Sequence, residues 1–332
     1  MIKSPALKPG DTVAIVSPSA GIASVTPERF ERGLTRLQAA GYQVKVMPHA
    51  RTRCGHRAGS YQEQAADINM AFADPEVQAI MATTGGYTSN GVLPYLDWDV
   101  IAANPKLFIG YSDITVLVTA FHVRTGLVTI QGPCLLPHFG EFPDMWDYTL
   151  AGFQSIVQGD TPTYRPSSEW AEEFLRWDRE DHRPRKRIPN QGWQVMHPGR
   201  ARAPLIGGNL AMLQALAGTR YFPATKGCLL FLEDDQEASL PWWEMRLNQM
   251  RSLGLFDGIA GLLIGRPELL QQPTRSFGFP ELLQEQFGND EFPIVYQVDY
   301  GHTEPMMTLP LGIEAELDTA AQTLRICEPA VV

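Results

Sequence analysis

The stretch Phe108-Ile109-Gly110-Tyr111-Ser112-Asp113-Ile114-Thr115 joins a predicted strand directly to a predicted helix. The apolar run 107–109 is typical of a buried strand, and the pattern over 114–125 is typical of a helix that ends at Gly126. A serine at such a turn presents its hydroxyl above the sheet, beside backbone N–H groups that can stabilise an oxyanion. An ordinary serine N-cap would give the same local pattern, and Ile114 replaces the last glycine of G-x-S-x-G.

Two other apolar runs end in residues of complementary chemistry. The run 228–232 is followed by Glu233, and the run 293–298 leads to Gly301 and His302. Because sites in open α/β sheets form at the carboxyl ends of strands, these side chains are candidates for one active site with Ser112. A serine needs an imidazole to take its proton and a carboxylate to orient that imidazole. The three residue types therefore predict a nucleophile, a base and an orienting acid.

With these residues in place, the sequence resembles the LD-carboxypeptidase family of serine peptidases. The form Gly85-Gly86-Tyr87-Thr88-Ser89-Asn90, with its asparagine, is closer to the branch of microcin C self-immunity peptidases. The resemblance implies that Ser112 is the nucleophile, Glu233 the carboxylate and His302 the base. It also implies that the backbone N–H groups of Asp113 and Gly86 form the oxyanion hole. Four segments carry it, in the order of the family: Thr84-Gly85-Gly86-Tyr87-Thr88-Ser89-Asn90, Asn104-Pro105-Lys106-Leu107-Phe108-Ile109-Gly110-Tyr111-Ser112-Asp113-Ile114-Thr115, Phe231-Leu232-Glu233-Asp234 and Gly301-His302-Thr303.

The order of predicted elements indicates an α/β fold with two domains. Strands and helices alternate over residues 1–160, which predicts a doubly wound parallel-sheet domain that carries the nucleophile. Residues 161–200 are rich in Pro, Arg, Asp and Glu, and we expect a linker or lid. Residues 201–332 predict a mixed α/β domain that carries the catalytic Glu and His, with a hairpin formed by 313–317 and 323–326. On this division the active site lies in the interdomain cleft.

Four further residues are candidate substrate contacts. Trp170 and Trp177 are seven residues apart, so a helix over 169–177 would place both rings on one face. That face either packs on the protein or forms an aromatic lid that stacks on a planar group. Arg266 and Glu268 follow the end of a predicted strand, where they could contact a carboxylate or an amine of the substrate.

Composition limits the classes of partner. The 332 residues carry a net charge of −10, which argues against nucleic-acid polymers and anionic membranes as partners. No apolar run approaches the roughly 20 residues that span a bilayer, and the start of the chain lacks a signal-peptide core. We therefore expect a cytoplasmic protein with four reduced cysteines. The sequence contains no dinucleotide, P-loop or metal-ligand motif, so we expect no cofactor and no metal.

These observations, together with the resemblance, predict a serine carboxypeptidase-type amide hydrolase. Its assembly is left open, with a homodimer as one alternative. The family resemblance implies a small peptide-like substrate, such as a peptidyl or aminoacyl nucleotide of the microcin C type. A muropeptide of peptidoglycan recycling is the alternative substrate. A non-catalytic, two-lobed binder of small molecules is an alternative of another class, because a fold alone does not fix a function.

Overall fold

The computed structural model describes residues 1–235, 237, 239–270 and 277–332. Two large sheets form the centre of the molecule, and a two-stranded sheet lies outside them. In the described residues, the strands are β1 (Thr12–Val16), β2 (Gln43–Val46), β3 (Val77–Ala82), β4 (Leu107–Gly110), β5 (Ile130–Gln131), β6 (Thr163–Tyr164), β7 (Glu169–Trp170), β8 (Ile188–Pro189), β9 (Gln194–His197), β10 (Arg200–Asn209), β11 (Leu229–Glu233), β12 (Gly261–Gly265), β13 (Ile294–Val298), β14 (Leu309–Pro310), β15 (Glu314–Asp318) and β16 (Thr323–Ile326).

The helices cover the sheets and begin at local signals in the sequence. Ser60 and Glu63, for example, form a complete capping box at the start of α2. The α-helices are α1 (Pro27–Ala39), α2 (Tyr61–Ala73), α3 (Trp98–Ala103), α4 (Thr115–Thr125), α5 (Asp147–Gln158), α6 (Leu210–Leu216), α7 (Leu240–Ser252) and α8 (Phe279–Phe287). Short helical turns of other types span Ile22–Ser24, Ser89–Tyr95, Ser112–Ile114 and Leu135–Phe139.

The first sheet has the strand order β14-β5-β4-β3-β1-β2, and all its pairs except β14–β5 are parallel. Its central strands are buried on both faces; β4, for example, is fully buried. Such strands are apolar throughout rather than alternating, which is why the sequence marks them clearly. This sheet confirms the parallel α/β part of the predicted fold.

The second sheet is mixed and has the order β6-β16-β15-β10-β11-β12-β13-β9. Strands β10 to β13 are parallel, whereas β15 and β16 form the predicted antiparallel hairpin. The mixed α/β architecture that the sequence predicts for the second half is therefore confirmed. The long strand β10 pairs with β15 over its first half and with β11 over its second half.

The two sheets are joined by more than one connection of the chain. Strand β14 comes from the C-terminal part of the sequence but extends the first sheet through β5. Tyr300 donates from its hydroxyl to Gln131 Oε1 over 3.2 Å, and the N–H of Asn209 donates to Thr115 Oγ1 over 3.1 Å. These contacts hold the end of β10 against the start of α4, and the residues after β13 against β5. The domain boundaries at residues 160 and 200 stay a prediction.

The segment 161–200 supplies strands to two sheets, the second sheet and the two-stranded one. Strand β6 extends the second sheet beside β16, β7 pairs with β8, and β9 pairs with β13. The predicted helix over 169–177 is wrong. Glu169 and Trp170 are extended, and Ala171 exchanges two backbone hydrogen bonds with Glu304. These pairings to distant segments satisfy the backbone groups that a helix would have used, so Trp170 and Trp177 share no helical face.

Candidate active site

Ser112 lies at a strained turn between β4 and α4. Its φ of 61° is in the left-handed region, which is rare for a residue other than glycine. The strand ends at Gly110, a turn of 3-10 helix covers Ser112–Ile114, and α4 follows at once. Strain of this kind persists where the surrounding structure fixes it, and it is typical of functional turns. The serine hydroxyl is therefore presented at the carboxyl edge of the first sheet, as the sequence predicts.

Ser112, His302 and Glu233 form a continuous chain of hydrogen bonds. His302 Nε2 lies 3.0 Å from Ser112 Oγ, and its Nδ1 lies 2.6 Å from Glu233 Oε2. Glu233 ends β11 and is fully buried, whereas the His302 side chain is 14% exposed. The geometry matches that of a nucleophile, a base and an orienting carboxylate.

Two neighbours fix the position of the Glu233 carboxylate. Asn209 Nδ2 donates to its second oxygen over 3.0 Å. Gly301 has a φ of +119°, and a Cβ at this position would lie 2.9 Å from the Glu233 side chain. A glycine is therefore required directly before His302, since any larger residue would displace the carboxylate that orients the imidazole.

The electrostatics of the pair favour a charged imidazole. Burial acts to lower the pKa of His302, but the charge of Glu233 and its hydrogen bond outweigh burial and raise the pKa. The ring of Tyr111 lies 5.0 Å from that of His302, centroid to centroid, and shields it from water on one side. The pair can therefore stabilise the imidazolium that forms when the serine loses its proton.

The Gly85-Gly86 turn lies against the Ser112 hydroxyl. A Cβ on Gly85 would lie 2.8 Å from Ser112 Oγ and 3.1 Å from the backbone nitrogen of Asp113. Gly86 has a φ of +151°, and a Cβ there would lie 2.3 Å from Ser19 Oγ. Both glycines are needed for this close approach of two backbones. The arrangement brings the backbone of the turn close to the Ser112 hydroxyl and to the backbone nitrogen of Asp113.

The buried carboxylate of Asp113 holds this turn in place. It accepts hydrogen bonds from the hydroxyls of Ser19 and Ser89, over 2.5 and 2.8 Å, and from the N–H groups of Thr88 and Ser89, over 2.9 and 3.0 Å. Burial raises the pKa of Asp113, and these hydrogen bonds act in the opposite direction. The sequence did not predict a role for this side chain.

A cleft of about 540 Å³ opens above the serine. Of the predicted substrate contacts, Trp177 and Glu268 line this cleft, but Trp170 and Arg266 do not. The Arg266 guanidinium is 4.3 Å from the Trp170 ring centroid and donates to Asp299 Oδ1 over 3.2 Å. These two residues therefore contact each other and Asp299 rather than the cleft.

Asn209 is a site residue that sequence reasoning missed. Two glycines precede it, and Gly208 is tightly packed: a Cβ on Gly208 would lie 2.5 Å from Gln131 and Thr115 side-chain atoms. Asn209 also caps α6 by accepting from the N–H of Met212. The asparagine before an apolar helix signals the cap, but no local pattern signals its contact with Glu233.

Two kinds of feature are absent from the residues that the structure describes. In this part of the chain, no helix is long and apolar enough to cross a bilayer. Within the same residues, no group of three or more His, Cys, Asp or Glu side chains is arranged to hold a metal ion.

Two family models match this chain. The LD-carboxypeptidase N-terminal domain matches residues 13–132, and the LD-carboxypeptidase C-terminal domain matches residues 202–317. The chain belongs to the LD-carboxypeptidase family. It is accordingly a serine carboxypeptidase-type enzyme, and the alternative of a non-catalytic binder is not supported.

Several members of the family resemble the chain over nearly its whole length. The putative carboxypeptidase YocD of Bacillus subtilis is 35% identical over 96% of this chain and 97% of its own. The microcin C7 self-immunity protein MccF of Escherichia coli is 32% identical over 96% of this chain and 94% of its own. A probable murein peptide carboxypeptidase of Bacillus subtilis is 30% identical over 97% of this chain and 93% of its own.

Solved structures of MccF have the same fold. Its complexes with glutamyl sulfamoyl guanosine and with aspartyl sulfamoyl adenosine each match with a TM-score of 0.94, at 32% identity and over 100% of both chains. Two aminoacyl nucleoside analogues thus bind to a protein whose backbone closely follows this one.

Proposed function

We propose that Ser112, His302 and Glu233 are the catalytic triad of this serine hydrolase. The observation that carries the proposal is the pair of distances, 3.0 and 2.6 Å, that joins the three side chains into one chain of hydrogen bonds. Ser112 Oγ attacks the carbonyl carbon of an amide while His302 Nε2 takes its proton. His302 then protonates the leaving nitrogen, and afterwards it activates the water that hydrolyses the acyl-enzyme.

The backbone N–H groups of Asp113 and Gly86 are the proposed oxyanion donors. The close contact between the Gly85-Gly86 turn and the Ser112 hydroxyl supports this role. Both donors belong to backbone that the Asp113 carboxylate fixes, so little reorganisation is needed when charge develops on the carbonyl oxygen.

The favoured substrate is an aminoacyl nucleotide of the microcin C type. The likeness to MccF, whose solved complexes contain aminoacyl sulfamoyl nucleosides, supports this substrate class. Trp177 supports it independently. The Arg29 guanidinium lies 4.5 Å from the centroid of its ring, and the half-buried indole also lines the cleft. Arg29 thus supports an aromatic surface on which a planar base can stack.

A muropeptide is the second candidate substrate. The likeness to the probable murein peptide carboxypeptidase supports it, at a similar level of identity. In this case the enzyme would release a terminal D-amino acid, and Trp177 would have no base to bind.

Parallel turnover assays test the proposal. We expect faster hydrolysis of an aminoacyl sulfamoyl adenosine than of a muropeptide tetrapeptide, and covalent labelling of Ser112 by a fluorophosphonate. Hydrolysis of the tetrapeptide alone would favour the second candidate. Full activity of Ser112→Ala on either substrate would exclude the triad.

Three broader expectations complete the proposal. We propose that the nucleophile belongs to a domain of residues 1–160 and the catalytic Glu and His to one of residues 201–332, with 161–200 between them. A cytoplasmic location fits the four free cysteines, Cys54, Cys134, Cys228 and Cys327. A homodimer stays a prediction, which sedimentation of the purified protein would test.

A further inference from the structure

Glu268 presents an unsatisfied carboxylate oxygen at the cleft. The residue is 3% exposed and lines the same cavity as Ser112 and His302. Its Oε2 atom is buried and has no hydrogen-bond partner among the described residues. A buried carboxylate oxygen without a donor is costly, and a ligand that brings a donor removes this cost.

The charges that act most strongly on His302 are acidic, because Glu233, Glu268 and Asp235 all raise its pKa. Glu268, Glu304 and Asp235 all line the cleft. Three arginines also line it, and each already has a partner: Arg176 pairs with Asp178, and Arg53 donates to the carbonyl of Gly55. The Arg185 guanidinium is engaged by Glu141, over 3.2 Å, and by the carbonyl of Glu173. Burial raises the pKa of Glu268 to about 7 and that of Glu304 to about 8. A positively charged ligand would favour the ionised form of both carboxyl groups.

We propose that Glu268 binds an ammonium group carried by the acyl part of the substrate. This inference rests on the proposed function, because it concerns the same cleft and the same reaction. Both candidate leaving groups carry negative charge: a sulfamate or phosphoramidate in one case and the carboxylate of a terminal amino acid in the other. The carboxyl groups around Glu268 offer neither leaving group a positive charge, and the lining arginines are already paired. The part of the substrate beside Glu268 is therefore the acyl part.

Two sources can supply the ammonium group. A single aminoacyl residue carries it on its α-carbon, next to the carbonyl that Ser112 attacks. A longer peptidyl group carries it on a side chain, as in a muropeptide with lysine before the terminal D-alanine. The chemistry of recognition is the same, and matched substrates separate the two sources.

The test compares Glu268→Gln with the wild type on two substrate pairs. The first pair is alanyl sulfamoyl adenosine and its N-acetyl derivative. The second is a tetrapeptide ending in Lys-D-Ala and its Nε-acetyl derivative. For the substrate pair whose ammonium group binds Glu268, Glu268→Gln should lower kcat/KM about 10- to 100-fold for the free amine. This is the loss expected for a charge-assisted hydrogen bond. It should change kcat/KM less than about twofold for the acetylated form.

Asp178→Asn is the matched control, because Asp178 is a cleft carboxylate that is already paired with Arg176 over 2.9 Å. It should affect the free and acetylated forms equally. Equal losses of both forms in Glu268→Gln would overturn the inference, and so would no loss in either.

Binding to Ser112→Ala, measured by calorimetry, repeats the comparison without chemistry. If the wild type hydrolyses none of the four compounds, the proposed function fails. The ammonium site is tested separately by adding Glu268→Gln to the Ser112→Ala variant. Weaker binding of the free amines alone would support the site. Equal binding of free and acetylated compounds to both proteins would overturn the inference.

Discussion

The catalytic side chains and the segment 171–187 line one cleft but are held by different forces. Ser112 and Glu233 lie at the ends of buried parallel strands, and His302 follows a third strand closely. Segment 171–187 contains no helix, and its charged side chains attach it to the first half of the chain. Asp181 pairs with Arg29 and Arg32, over 2.5 Å in each case, and Arg185 pairs with Glu141.

Because of this difference, we assign the reaction to the catalytic side chains and the choice of substrate to segment 171–187. Strand ends inside a packed core cannot move without unpairing a sheet, so the geometry of the triad is tightly fixed. A segment that lies outside the large sheets can change its sequence and path without unpairing their strands. We therefore expect changes in the triad to affect all substrates alike and changes in the segment to affect substrates selectively.

Ser112→Ala gives the largest expected effect and tests the first half of the comparison. Loss of the nucleophile should lower kcat by about 10⁴- to 10⁶-fold on the nucleotide and peptide substrates alike. The triple variant with Glu233→Ala and His302→Ala should be little worse, because the three residues act as a unit. Single-turnover rates and circular dichroism of each variant measure activity and folding. Near-normal turnover of either single variant at 233 or 302 would contradict the assignment.

Glu233→Gln should lower the rate about 10³- to 10⁴-fold and also shift its pH dependence. His302 accepts a proton only when it is unprotonated. Because Glu233 raises the pKa of His302, kcat/KM of the wild type should increase with pH through a pKa above the ordinary value of 6.5. The neutral amide removes the charge that raises this pKa, so the acidic limb should move to lower pH. A limb that stays in place would show that another group controls it.

Trp177→Ala tests the second half of the comparison. Stacking on a base contributes about 1–3 kcal/mol, so kcat/KM for the nucleotide substrate should fall roughly 5- to 150-fold, with little change for a muropeptide. Trp170→Ala is the matched control, since Trp170 stacks on Arg266 outside the cleft. That variant should lower Tm and affect both substrates equally. Equal losses on both substrates with Trp177→Ala would contradict stacking.

Asp181→Asn should give the smallest effect. The change weakens two ion pairs that hold the segment, and a loss of about 1 kcal/mol corresponds to about a fivefold increase in KM for the nucleotide substrate. The kcat value should stay unchanged, because the triad is not touched. Asp144→Asn, at a pair whose carboxylate is 85% exposed, serves as the control and should change neither constant. A fall in kcat for Asp181→Asn would show that the segment also positions the triad.

The sequence predicted what depends on local pattern. The apolar runs before Ser112, Glu233 and His302 mark buried strands, and the residue after each run marks the edge of a sheet. The hairpin of β15 and β16 was also predicted, because its two short strands flank a turn. The distances within the proposed triad needed the structure, although the residue types did not.

Contacts between distant segments could not be predicted. Asn209 bonds to Glu233, and Asp113 bonds to Ser19, across sheets and turns that only the folded chain brings together. For Trp170 and Trp177, the sequence predicted a shared helical face that the structure does not contain. Their spacing of seven fits a helix, but the backbone of this segment pairs with Ile188 and Glu304 instead. Tertiary pairing thus overrides a local period in an irregular segment.

Strand β14 has a consequence for how this protein can be recombined with its relatives. It follows His302 closely in the chain, yet it completes the sheet that carries Ser112 by pairing with β5. A chimera that takes its first half from one parent and its second half from another would therefore mix two lineages within a single sheet. The position of His302 relative to Ser112 would then depend on the pairing of β14 from one parent with β5 from the other, two strands that did not evolve together. Functional exchange between relatives should require that residues 130–131 and 309–310 be inherited together.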